Sequence, residues 1–285
     1  MKGYEALRNR AAWTDLSARG KIKLSGEDRA RLLHAMTTNH IQQLTPGTGC
    51  YAFFLNDKGR VIADANILCR PDYFLLDVEP ETREPLYQHL DRFIIADDVT
   101  LEDIRDSTAT IAVEGPEAAD VLERAGAPVP ETDYATMAWG ESFVARLNST
   151  GSLGFFIFAP AAEKAALIGR LEAAGAEPAD AEAARVVRLE HGRPRYSEDI
   201  SDRFLAQEAN QPHALHFSKG CYLGQEIVER VRSRGQIHRV LKPLILDMKE
   251  PPAPGAKLDD GTTEITSAAY SPALDKVVAL AYVRV

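Results

Sequence analysis

Two stretches of this chain repeat one pattern, and that repeat limits the folds open to it. Ile22-Lys23-Leu24-Ser25-Gly26-Glu27-Asp28-Arg29-Ala30-Arg31-Leu32-Leu33 reads as a short strand, a glycine turn, an acidic first helical turn and a helix. The pattern returns at Ile111-Ala112-Val113-Glu114-Gly115-Pro116-Glu117-Ala118-Ala119-Asp120-Val121-Leu122. Isoleucine, glycine, alanine and the final leucine coincide at equal offsets, and Pro116 suits the first position of a helix. The match reads either as a duplicated half-domain or as one local motif used twice. Between the units the pattern predicts an antiparallel meander near 49–55, 60–69 and 73–79, turning at Asn56-Asp57-Lys58-Gly59 and Pro71-Asp72. A helix with Leu86, Leu90 and Phe93 on one face follows, then strand-like runs near 98–104 and 108–113.

Beyond the second unit, Phe143–Leu147 and Phe155–Phe158 flank a turn and read as a hairpin, followed by alanine-rich helices near 161–174 and 179–190. Residues 1–20 read as a helical, partly polar lead-in, and 192–218 as a long loop lying over a site. Strands are expected near 240–246, 263–269 and 277–284, with Pro251–Gly255 as a stiff connection. The class is α+β with several antiparallel sheets. At 285 residues the chain suits one elaborate domain or two to three smaller ones, and a final unit of about 45 residues must lean on its neighbours.

A net charge of −9 argues against a general nucleic-acid coat, while leaving room for a local basic groove. No stretch approaches about 18 consecutive apolar residues, and the N-terminus has no apolar run of signal-peptide length. Cys50, Cys69 and Cys221 are odd in number and widely spaced, which fits neither a disulfide framework nor a zinc pattern. A reducing cytoplasm is the simplest home, and no membrane association or resident metal is expected.

Chemistry concentrates in Lys219-Gly220-Cys221-Tyr222-Leu223-Gly224-Gln225-Glu226. From Leu223 the apolar residues fall at 223, 227, 228 and 231 on one helix face, and Gly235 supplies a stop. Cys221 is therefore expected at or just before a helix N-terminus, with Lys219 beside it, a setting that favours a reactive thiolate. The alternative is a small hydrophobe in a turn. His213 and His216 lie close by in sequence and invite a Cys–His reading. Arg230, Arg232, Arg234, Arg239 and Lys242 follow with no acid between 230 and 242. They read as a helix end complementing its dipole, or as a clamp for a carboxylate or phosphate.

Taken together these pieces resemble the aminomethyltransferase-like superfamily that includes the glycine-cleavage T-protein, and within it the YgfZ branch of folate-binding proteins. The octapeptide matches that branch's Lys-Gly-Cys-Tyr/Phe-x-Gly-Gln-Glu signature, and Arg188-Leu189-Glu190-His191-Gly192 with Asp199 resembles the superfamily's Arg-x-Glu-x-Gly…Asp segment. Asp57-Lys58-Gly59-Arg60 and Asp64 resemble its first meander. The resemblance implies a ring of three subdomains around a central hole that holds tetrahydrofolate, closed by a small C-terminal β-barrel-like domain that ends early at Val285. The division implied is 1–240 for the folate-binding region and 241–285 for the terminal domain.

By the same resemblance Asp64, Glu190, Gln225, Arg230 and Arg239 bind the folate, Glu190 at the pteridine edge, while Cys221 and Lys219 carry the chemistry. The implied role is support of iron–sulfur cluster assembly or repair in client proteins, with a linked effect on tRNA modification, by a protein acting as a monomer. The rival is a folate-dependent aminomethyltransferase. Two departures weigh against that rival: Ala63 stands where the T-protein has a second aspartate, and Arg60 where it has a glycine. His40 and Ser197 also depart, standing where relatives often have aspartate and glycine.

Overall fold

A computed structural model of the protein describes residues 1–235, 237–258 and 261–285. Helix α1 (Tyr4–Asn9) leads into strands β1 (Ala12–Asp15) and β2 (Gly20–Ser25), and α2 (Arg29–Met36) follows the first glycine turn. The meander is β3 (Gly49–Leu55), β4 (Val61–Cys69) and β5 (Tyr73–Val78), followed by α3 (Arg83–Asp91) and β6 (Thr100–Asp103). The second unit is β7 (Thr108–Glu114) and α4 (Ala118–Arg124). Then come β8 (Thr136–Trp139), β9 (Ser142–Ala145), β10 (Gly154–Pro160), α5 (Lys164–Ala173), the short β11 (Glu177–Pro178) and α6 (Ala181–Glu190). Helix α7 (Gln225–Arg234) precedes β12 (Arg239–Leu246), β13 (Lys257–Leu258), β14 (Thr263–Ser271) and β15 (Lys276–Arg284).

Among the described residues the strands form three sheets. Five strands run β3-β4-β5-β2-β6, six run β11-β1-β7-β10-β9-β8, and four run β12-β15-β14-β13. Every pairing is antiparallel except the two-residue contact of β11 with β1. The repeated units both form, each with a glycine at positive φ between strand and helix (Gly26 at 103°, Gly115 at 126°), but β2 and β7 belong to different sheets. The fold is thus mixed α+β, and its last sheet is a curled half-barrel with β12 and β13 at its edges.

Two expectations change. Residues 12–15 are a strand and not part of a helical lead-in. Ala12-Trp13-Thr14-Asp15 pairs with β7 along its whole length, and four residues are too few to display an alternating pattern. Residues 192–218 do not merely lie over a site. Tyr196, Ile200, Phe204, Ala206, Ala209 and Ala214 are buried in an apolar cluster with Leu7, Phe53, Val187, Val228 and Tyr282, so this segment is part of the core that joins all three sheets.

One carboxylate fastens that junction. Asp199, 1% exposed, accepts hydrogen bonds from Arg188 Nη1 (2.6 Å), the Arg195 amide (3.0 Å), Thr266 Oγ1 (2.6 Å) and Ser267 Oγ (2.5 Å). It therefore ties α6 and the turn at 195 to β14 of the terminal sheet. Removing Asp199 leaves Arg188 paired with Glu198 alone and takes the carboxylate acceptor from the buried Thr266 and Ser267 hydroxyls, which typically costs about 1–3 kcal/mol per group left unsatisfied. Asp199→Ala should destabilise the protein by about that amount, read as a lower urea midpoint at unchanged slope. A shift below about 1 kcal/mol would remove Asp199 from this role.

Candidate active site

A cavity of about 620 Å³ opens where the first two sheets meet α6 and the 193–213 segment. Strands β4 and β5 supply its polar floor. Side chains alternate along a strand, so Asp64 and Asn66 share one face of β4 while Ala63 faces the apolar cluster behind the sheet with Ala52 and Phe54. The β4–β5 register sets Asn66 opposite Asp77, and Asn66 Nδ2 donates to Asp77 Oδ2 at 2.8 Å. Arg19 grips the same fully buried carboxylate with Nε and Nη2 (2.8 and 2.9 Å) and also pairs with Glu79. Burial alone would raise Glu79, but the Arg19 and Arg195 guanidinium groups outweigh it and hold the carboxyl below its usual range.

Asp64 lacks such a partner. It is 8% exposed, and the hydroxyl of Tyr51 donates to its Oδ2 at 2.6 Å. Burial pushes its pKa up from 3.8 to about 6, the Tyr51 hydrogen bond offsets part of this, and the charge of Glu79 adds to it. Burial and then the neighbouring Asp64 push Tyr51 well above its ordinary value. The ring of His213 rests against Tyr51 at 5.2 Å, and burial followed by the charge of Arg193 lowers that imidazole. Asn39 holds the arrangement in place through hydrogen bonds from Nδ2 to the Tyr51 and His213 carbonyls (2.8 and 2.9 Å). Trp13, Leu16 and Phe156 give the cavity an apolar wall.

Of the seven residues expected to act, Asp64 lines this cavity and the others do not. Glu190 accepts from Tyr4 Oη (2.5 Å) and Ser271 Oγ (2.6 Å) and lies 3.5 Å from Arg8 Nε, so it pins α1 to the terminal sheet. Neither Arg193 nor Arg195 pairs with it. Arg239 bonds Glu208 at 3.2 Å and stacks over Phe204 (4.6 Å), while Arg230 is exposed on α7 and Gln225 opens that helix. The expected clamp is therefore dispersed.

Lys219 turns inward, away from the expected thiol-activating role. It is 6% exposed, donates to the carbonyls of His34 and Thr37 at the end of α2, and faces the Tyr222 ring at 4.7 Å. Burial lowers it to about 7. Cys221 is exposed, and α7 begins four residues later behind Gly224. The octapeptide closes the chain onto the first sheet. The Leu223 amide bonds the Ala35 carbonyl (3.0 Å), and a side chain at Gly224 (φ 83°) would meet the Asn56 carbonyl at 2.7 Å. His216 and His34 both stack edge-on against His40 (5.1 and 4.6 Å), while His213 belongs to the cavity.

A family model described as the GCVT N-terminal domain matches residues 2–219. The chain belongs to this family. Its similarity to an aminomethyltransferase of Rubrobacter xylanophilus is 30% identity over 98% of this chain and 78% of that one. An aminomethyltransferase of Geobacillus kaustophilus is 28% identical over 99% and 81%. A chloroplastic Arabidopsis thaliana protein, whose name goes no further than transferase, is 28% identical over 90% and 61%. The crystal structure of the glycine cleavage system aminomethyltransferase T from Bartonella henselae superposes with a TM-score of 0.90 at 22% identity, over 99% of this chain and 80% of that one. The GCVT-domain chain thus has the T-protein fold. No described helix is long and apolar enough to cross a membrane.

The two departures from the T-protein pattern also find their places. Arg60 donates from Nη1 to the Arg203 carbonyl (2.6 Å) and stays out of the cavity, and Ala63 faces the apolar cluster. Ser197 keeps φ at 70°, the left-handed conformation that favours glycine.

Asp64 gives a pH prediction. Its folded pKa lies above its ordinary value, so between about pH 4 and 6 the folded state holds more protons than the unfolded one, and stability falls as pH rises through that window. The gap between 3.8 and about 6 corresponds to roughly 3 kcal/mol. Asp64→Asn should therefore be about 1–3 kcal/mol more stable than wild type at pH 7.5, with the difference vanishing near pH 4, by urea unfolding at each pH. Equal stability at every pH would mean that Asp64 titrates normally.

Proposed function

We propose that this GCVT-domain protein binds a tetrahydrofolate in the cavity and that Asp64 handles the proton in folate-dependent aminomethyl transfer. The observation that carries this reading is a buried carboxyl group poised near neutrality on the wall of a ligand-sized cavity, with Tyr51 as its hydrogen-bond donor. The residues present suit a reduced folate. A carboxylate can accept from the adjacent N–H donors of a pteridine edge, Trp13, Leu16 and Phe156 offer apolar walls, and arginines line the remainder. When bound, tetrahydrofolate would supply the secondary amine that takes up the one-carbon unit.

What the chain's own residues contribute is positional and electrostatic. A pKa of about 6 lets Asp64 hold or release a proton at physiological pH, which an ordinary aspartate does poorly. Tyr51 fixes which carboxyl oxygen is free, because Oδ2 is engaged. The Arg19–Asp77–Asn66 ladder holds β4 and β5 in register beneath it. With isothermal titration calorimetry, Asp64→Asn is expected to weaken tetrahydrofolate binding by about tenfold, since an amide offers one acceptor oxygen where the carboxylate offers two. Turnover with an aminomethyl donor should fall by about 10²–10⁴, the usual contribution of a positioned acid–base group. Undiminished turnover would exclude Asp64, and absence of folate binding by wild type would end the reading.

A second reading rests on Cys221. Its thiol is exposed within the octapeptide, and the nearby surface carries Arg232 over the partly exposed Phe217 ring at 4.5 Å. This supports an accessory role of the YgfZ kind in the cytoplasm, in which the thiol meets iron–sulfur client or assembly proteins, with tRNA modification as a downstream effect. The chain would be compared with Cys221→Ser in cells lacking their own family member, following a cluster-dependent enzyme under oxidative stress. Rescue by wild type alone would support this role, and equal rescue by both would leave Cys221 structural.

A further inference from the structure

Three histidines from separate segments meet behind the octapeptide, and neither functional reading uses them. His34 stands on α2, His40 in the segment that follows, and His216 just ahead of Lys219. The His40 ring meets His34 edge-on at 4.6 Å and His216 at 5.1 Å. His34 is 8% exposed and the other two are half-buried. Among the described residues neither His34 Nδ1 nor His40 Nδ1 has a hydrogen-bond partner, and His216 Nδ1 accepts from the Ser218 amide (3.3 Å).

This arrangement suits neutral rings and opposes charged ones. A protonated imidazole donates from both nitrogens. Charging His34 or His40 therefore leaves a buried N–H at Nδ1 without an acceptor, and charging His216 sets a donor against the Ser218 amide. The surrounding charges act in the same direction. Burial, then the cations Lys219, His40 and His216, lower the His34 pKa from 6.5 to about 4. Cys50, on β3, is the titratable group that acts on Lys219, and no carboxylate acts on either His34 or Lys219.

The cluster adjoins the bonds that fasten the octapeptide. The His216 amide donates to the Thr38 carbonyl (2.9 Å), Thr38 Oγ1 to the Ala214 carbonyl (2.6 Å) and the Leu223 amide to the Ala35 carbonyl (3.0 Å). Lys219 adds its bonds to the His34 and Thr37 carbonyls. The fastened segment begins at His213 of the cavity wall and carries Cys221 near its other end.

We infer that residues 213–223 form a pH-sensitive strap, docked on α2 and the 37–40 segment while the three histidines are neutral and released as they gain protons. The strap depends on neither functional reading, because it needs only the cluster and the bonds beside it. Its sign follows from His34. A released His34 regains its ordinary pKa of 6.5, so below that pH the released state binds more protons than the docked one. Docking is therefore at full strength above about pH 6.5 and weakens as the pH falls towards about 4.

Hydrogen–deuterium exchange of the full chain, read by mass spectrometry at pH 7.5 and 5.5 and corrected for the intrinsic rate at each pH, measures this docking. In wild type the protection of peptides spanning the His216 and Leu223 amides is expected to fall by about tenfold at pH 5.5, the ratio that a shift from 6.5 to about 4 gives one pH unit below 6.5. Strands β4 and β7 should keep their protection. His34→Gln should hold the fall to within about threefold, each variant being judged against its own protection at pH 7.5. His40→Gln and His216→Gln, at half-buried positions, should each reduce the fall, and they carry the test where His34→Gln does not fold. Unchanged protection of wild type at pH 5.5, an equal fall in the histidine variants, or a loss shared by β4 and β7 overturns the strap.

Discussion

The four hydrogen bonds converging on Asp199 hold together pieces of the chain that are far apart in sequence. Arg188 comes from the last helix before the junction, the Arg195 amide from the turn after it, and Thr266 and Ser267 from the terminal sheet. A buried carboxylate is expensive unless its lone pairs are filled, and here they are, so the arrangement is specific as well as stable. The turn that brings Asp199 back to the helix needs Ser197 in a left-handed conformation, with its amide on the Ile200 carbonyl (2.8 Å). One wall of the cavity, from Arg185 through Glu198, hangs on this junction. The shape of the site is therefore set by contacts outside it.

Inside the cavity the charges divide into two kinds. Most are matched: Arg19 with Asp77 and Glu79, Arg195 with Glu79 and Glu81, Arg185 and Arg188 with Glu198. These pairs lower the cost of burying ionic groups and fix the strands, but they have little capacity left for a ligand. Two groups of opposite sign are unmatched. Asp64 has only a phenol hydroxyl, and the Arg193 guanidinium forms no ion pair among the described residues. The charge of Arg193 lowers the Asp64 pKa, yet the two form no ion pair, so each remains available to a ligand.

Much of the framework was legible in the sequence because it is local. The meander strands fall within a residue or two of where alternation and turn residues put them, and the glycine turns of both repeats form as read. The site was less legible because it is assembled from distant segments. Asp64 could be reached through the meander, and the polar positions Asn66 and Asp77 on otherwise apolar strands, with Glu79 just past the end of β5, were a signal left unused. Lys219 and Cys221 look like partners when written side by side. In space the lysine caps the carbonyl end of α2 and the cysteine faces solvent, because nearness in sequence does not set side-chain direction. The arginine run misled for the same reason, since Arg239 is stacked against Phe204 while Arg230 stands on an exposed helix face.

The residues that set this chain apart from the T-protein pattern bear on function through where they lie. An aspartate in place of Ala63 would project into the apolar cluster behind β4, opposite in direction to Asp64, so the alanine does not remove an acid from the cavity. Arg60 is held at the Arg203 carbonyl and takes no space from a ligand. Neither substitution therefore argues against chemistry at Asp64. The octapeptide, in contrast, serves two ends: Lys219, Leu223 and Gly224 dock the chain onto the first sheet, and the same docking leaves Cys221 on the outer surface. Because the thiol and the cavity acid occupy separate places, a role for one neither requires nor excludes a role for the other.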